Sequence, residues 1–138
     1  MSTQDPISVI VALRNNLNDL GLDGAMVLFA DDAVLRLVPP PPPPDRGVYQ
    51  GSDEIRRWLR ALLAEQLHVE FEHLQVAGDE VAGHARISAD RYRRLGLDPA
   101  EADIRATVRE GMIRSLNIDF APSSTERMHA VAVARPEA

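Results

Sequence analysis

His84, Arg86 and Ser88 lie two residues apart, so any strand that carries them presents all three on one face. Turned into a cavity, such a wall orients a carbonyl or carboxylate. A histidine beside a carboxylate also moves protons near pH 7. His73, Asp90 and Asp119 are the other groups of suitable chemistry, and His84, Arg86 and Asp119 are taken as the catalytic candidates. Turned outward, the same wall is a solvent or dimer surface, and the spacing alone leaves both readings open. His68 and His129 read as surface residues, Asp31 and Asp32 as corner residues, and Arg36 as one side of a salt bridge across a subunit interface.

Composition removes several chemistries. The chain has no cysteine, which excludes disulfides, thiolate metal sites and cysteine nucleophiles. All 15 basic residues are arginine, so lysine Schiff bases are excluded too. No HxH or HExxH arrangement is present to bind a metal, and neither a metal nor a cofactor is expected. A net charge of −6 argues against a nucleic-acid partner, and the cluster Arg91, Arg93 and Arg94 reads as a solvated surface. The start of the chain lacks the pattern of a signal peptide, and no apolar run reaches the roughly 20 residues of a membrane span. A cytoplasmic protein with no membrane partner is therefore expected.

The elements that must position these groups read as one domain over residues 1–138. Asp5 as cap and Pro6 at the first helical position start a helix whose stripe is Ile7, Ile10, Leu13, Leu17 and Leu20. Gly21 stops it, and Asp23 caps a short second helix reaching Leu28. Asp31 and Asp32 make a corner before an apolar strand over 33–38. Pro39 to Pro44 form a stiff flap, and 47–51 a short strand with Tyr49. Ser52 caps a helix with Ile55, Trp58, Leu59, Leu62 and Leu63 on one face.

From Leu67 the period changes to two, with Val69, Phe71, His73 and Gln75 on one face. The turn 77–79 leads to a return strand in which Val81, Gly83, Ala85 and Ile87 alternate with His84, Arg86 and Ser88. A helical segment over 89–95 ends at Gly96. Strands carrying Ile104, Ala106 and Val108, and then 112–120, meet at Glu110-Gly111, and 124–135 is a weak terminal helix. Helices beside a mostly antiparallel sheet make an α+β fold, and a curved sheet leaves a cone-shaped cavity.

The stretches LDGAMVLFADDAVL at 22–35, YQGSDEIRRWL at 49–59 and VREGMIRSLNIDF at 108–120, with RRLGLDP at 93–99, resemble the nuclear transport factor 2-like superfamily. The resemblance is to its SnoaL-like polyketide cyclase and ketosteroid isomerase branch. It implies the cone fold and a homodimer. It also implies that the isomerase base falls at Leu37, and the oxyanion donors at Leu13 and Ile104, where this chain is apolar. Of the epoxide-hydrolase set, the arginine matches Arg86, while the other positions fall on Ser88, Ile118, Leu35 and Leu37.

The expected cavity lining is Leu13, Leu17, Phe29, Leu35, Leu37, Trp58, Leu62, Phe71, His73, Ile104, Ile118 and Phe120. Three functions remain open. One is binding of a small, largely apolar metabolite without turnover. Another is a cyclase, isomerase or epoxide-hydrolase type of enzyme for a polyketide-, steroid- or terpenoid-like substrate, which needs His84, Arg86 or Asp119 inside the cone. The third is a dimeric interaction module whose cavity is filled by its own side chains.

Overall fold

The computed structural model describes residues 5–41 and 45–134. Helix α1 spans Pro6–Asn18 and buries Val9, Ile10, Leu13 and Leu17. Pro6 suits its first turn, where a missing N–H costs nothing, whereas Asp5 makes no side-chain cap bond. The stripe stops at Leu17: beyond the helix Leu20 turns left-handed (φ 61°) and is 66% exposed. Helix α2, Leu22–Met26, follows Gly21 rather than a cap at Asp23, and ends before Val27.

Strand β1 runs Phe29–Val38, earlier than the expected start. Asp31 and Asp32 are exposed within it, where its pairing is irregular between Phe29 and Val34, so they form a bulge rather than a corner. The proline run follows, and its members 42–44 lie outside the described residues. Pro41 is buried, and the Leu37 amide donates to the Gly47 carbonyl at 2.9 Å, which closes the loop onto β2, Val48–Gln50.

Helix α3 is Ser52–Ala64, and its cap is Gly51 at φ 87° rather than Ser52. Glu54 takes up a free amide there, accepting from the Gln50 N–H at 2.8 Å. Ile55, Trp58, Leu59 and Leu62 form the buried face of α3. The remaining elements are β3 (His68–Ala77), β4 (Glu80–Ser88), α4 (Asp90–Arg93), β5 (Ala100–Arg109), β6 (Met112–Phe120) and α5 (Pro122–Ala134). Strands β5 and β6 join at Glu110-Gly111, both with positive φ (54° and 74°), as a tight hairpin of matching twist requires. Ser124 and Met128 of α5 are buried, and the Glu101 amide donates to Ser124 Oγ at 3.1 Å.

The sheet has six strands in the order β2-β1-β6-β5-β4-β3. Among the described strands only the β1–β6 pair is parallel. Its register builds one apolar face, in which Leu35 lies beside Leu116, Ile104 beside Ile118, and Ala85 between Phe71 and Ala102. Helix α1 packs against β3 and α3 against β1, which puts the core between helices and sheet. The architecture is the expected α+β cone with a curved, mostly antiparallel sheet.

Strand β3 departs from strict alternation. Its pairing shifts between Glu72 and Gln75, and His73 sits at φ 58° and is exposed. A one-residue bulge reverses the faces of everything after it. Leu74 therefore packs on the core in place of His73 and lies over Gly83, where an added Cβ would be 2.6 Å from Leu74 Cδ2.

Candidate functional site

Between α1, α3 and the inner face of the sheet lies a void of about 40 Å³. Its fifteen lining side chains are all apolar. Of the expected lining, Leu13, Leu17, Phe29, Leu35, Trp58, Leu62, Phe71, Ile104 and Ile118 are there, joined by Leu59, Leu67, Val69, Ala85, Ile87 and Leu116. Three expected members are elsewhere. His73 leaves through the bulge. Leu37 is buried further along β1, where its amide bonds to Gly47. Phe120 packs against Tyr92, with ring centroids 5.9 Å apart. The void is small beside the roughly 300 Å³ of an ordinary ligand site.

The catalytic candidates lie on the opposite face. Ala85 and Ile87 point into the cone, so His84 and Arg86 point out. His84 bonds to Glu101 through Nε2 and lies 3.3 Å from Asp103 Oδ1 through Nδ1. The Glu101 carboxylate, with Asp103 behind it, holds the imidazole pKa above its usual value. Arg86 reaches Glu72 at 3.4 Å and Glu101 at 3.9 Å. Asp119 is exposed and lies beside Asp103 in register. Asp90 starts α4 and pairs with Arg93 at 2.8 Å. His68 is a surface residue bonded to Glu70 at 2.7 Å, while the His129 side chain lies outside the described ones.

That outer face also carries a shallow groove of about 480 Å³ between Arg36, Arg105, Asn117, Asp103 and Asp119. Arg36 and Arg105 make no ion pair among the described residues. Asn117 Oδ1 is buried there with no hydrogen-bond partner among them.

A second polar assembly went unread in the sequence. Asp45, directly after the proline run, has a side chain only 1% exposed. It accepts from Trp58 Nε1 at 2.9 Å, from Tyr92 Oη at 3.1 Å and from Arg91 Nη1. Arg91 also grips Glu65 through Nε and Nη2, each at 2.9 Å. Arg91 is thus buried, a correction to its reading as a solvated residue. Burial alone would lower the pKa of its guanidinium, but Glu65 and Asp45 outweigh that and hold it charged more firmly than usual. Arg91 in turn pulls the Glu65 carboxyl below its ordinary range, and burial pushes the Tyr92 phenol well up. Nothing in the spacing of Arg91, Arg93 and Arg94 marks the first as different. Only contact with a loop distant in sequence does.

The sides of the cone thus separate by chemistry: among the described residues no titratable group lines the void, and the ionic networks lie outside it. Among the described residues no cluster of histidine and carboxylate side chains is arranged to hold a metal, and no helix is long and apolar enough to cross a membrane.

Residues 10–116 match the family model described as the SnoaL-like domain. No curated protein matches the chain. Among solved structures, the epoxide hydrolase/cyclase-like enzyme SalBIII, of pyran ring formation in the polyether salinomycin, superposes with a TM-score of 0.72 at 17% identity, covering 86% of this chain and 92% of its own. A nuclear transport factor 2-like protein of unknown function from Cytophaga hutchinsonii gives 0.68 at 16% identity, with 91% and 99% covered. A putative polyketide cyclase from Sinorhizobium meliloti gives 0.66 at 22%, with 83% and 99% covered. Likeness at these identities shows the fold alone.

Proposed function

This chain belongs to the SnoaL-like domain family, and from that membership and the cavity we propose that it binds a small, largely apolar molecule in the cone without turning it over. The observation that carries this reading is the wholly apolar lining. Proton transfer needs a titratable group within hydrogen-bond reach of the substrate, and His84, Arg86 and Asp119 are on the far side of the sheet. The apolar residues at Leu13, Leu37 and Ile104, where the resemblance puts isomerase groups, support the same reading.

An occupant larger than the void must displace side chains, and Phe71, only partly buried, is placed to give way. Trp58 lines the void and is the only tryptophan, so its fluorescence reports occupancy directly. Titration with octanol should shift Trp58 emission saturably. Ala85→Leu, which fills the void from the β4 side, should abolish that shift while the fold's circular dichroism is kept. A flat titration in the native protein would reject the reading.

The proposal includes a cytoplasmic homodimer joined through the outer sheet face. Its support is the charge layout, in which Arg36 and Arg105 lie next to Asp103 and Asp119. A two-fold mate can set the arginines of one copy over the carboxylates of the other.

A further inference from the structure

Trp58 is the wall between two spaces. One is the apolar void. The other is an open groove of about 300 Å³ lined by Arg46, Tyr49, Glu54, Arg57, Trp58 and Arg91, together with Ala61. Three guanidinium groups and one carboxylate line this groove, in a protein whose net charge is −6.

The three arginines are not equally committed. Arg91 is saturated by Asp45 and Glu65 from behind. Arg46 pairs with Glu54 at 3.1 Å and lies over the Tyr49 ring at 4.8 Å. That pair is exposed on both sides, and such pairs contribute little and exchange readily. Arg57 is exposed and makes no ion pair among the described residues. It lines the groove and stands one residue before Trp58 on α3.

Resting on the apolar-binding reading above, we propose that the ligand is an amphipathic carboxylate. Its head sits in the groove on Arg57, with Arg46 beside it, and its apolar body passes Trp58 into the cone. A guanidinium matches a carboxylate with two parallel hydrogen bonds. One uncommitted arginine suits one negative charge. A phosphate dianion would need to draw Arg46 away from Glu54 to balance its second charge. The Tyr49–Trp58 pair, with ring centroids 5.3 Å apart, forms the lip the body crosses. Because Asp45 holds the indole N–H, that lip keeps one orientation.

The test compares octanoate with octanol, equal in chain length and differing in charge, by Trp58 fluorescence. Octanoate should bind about tenfold more tightly, equivalent to about 1.4 kcal/mol. Arg57→Gln should remove that advantage and leave octanol binding unchanged. Arg60→Gln, an exposed arginine on the same helix outside the groove, should keep it. Equal binding of the two probes, or an advantage that survives in Arg57→Gln, would overturn the carboxylate assignment and leave the apolar reading standing. Failure of both probes to bind would overturn both.

Discussion

Both carboxylate neighbours of His84 favour its protonated form, and this links stability to pH. Its folded pKa is raised, first by the bond to Glu101 and then by Asp103, above the ordinary value of about 6.5. The stabilisation is therefore complete below that ordinary value and is lost as pH rises through the folded one. Urea unfolding of the native protein and of His84→Gln should show a gap at pH 5.5 that narrows as pH rises above the ordinary histidine value. The gap should stay under about 1 kcal/mol, because the side chain is partly exposed to solvent. Arg91 behaves differently because it is buried. Arg91→Gln leaves Asp45 and Glu65 facing each other without their cation, and should cost roughly 3–5 kcal/mol in chemical denaturation. It should also alter Trp58 emission, since Asp45 anchors the indole. At this scale the sequence was partly legible. The apolar lining could be read from residue type and period. The outward aim of His84 and Arg86 could not, because alternation tells which residues share a face and not which face is covered.

The strands show where local pattern was sufficient and where it was overridden. Alternation in β4 and β6 predicted the shared faces of Ala85 with Ile87 and of Ile118 with Phe120, and the register agrees. In β3 the same rule misplaced His73. The apolar residues themselves carried the signal: Phe71, Leu74 and Val76 are spaced three and then two, and an odd step on one face requires a bulge. Gly83 across the ladder is its counterpart, leaving space for Leu74. Gly83→Ala should destabilise by about 1–3 kcal/mol. Leu74→Ala in the same chain should recover only part of that, because the Glu72 carbonyl would still be 3.0 Å from the new methyl. Thermal unfolding of the single and double variants decides it. Caps were the least legible feature: Gly51, not Ser52, and Gly21, not Asp23, flank their helices, since a backbone turn can end an element where a side-chain cap was also available.

At the scale of the whole molecule, the proposed dimer makes a direct prediction. Sedimentation velocity should give a dimer at low salt that dissociates as ionic strength rises, and Asp119→Arg should favour the monomer. A dimer indifferent to both would place the contact elsewhere. Fold class was readable because the order of elements follows from periodicity, caps aside, and the family from the resemblance carried by the stretches at 22–35, 49–59 and 108–120. The assembly beneath the proline run was not, because Asp45, Glu65 and Arg91 meet only after the chain has wound round the cone. The parallel pairing of β1 with β6 has a consequence for synthesis. Strand β1 emerges early, yet its long neighbour exists only after the ribosome has passed Phe120. Until then Leu35 and Leu37 have only the three-residue β2 beside them. The nascent chain must therefore carry an unfinished, sticky edge until β6 has been made, and the sheet cannot close before then.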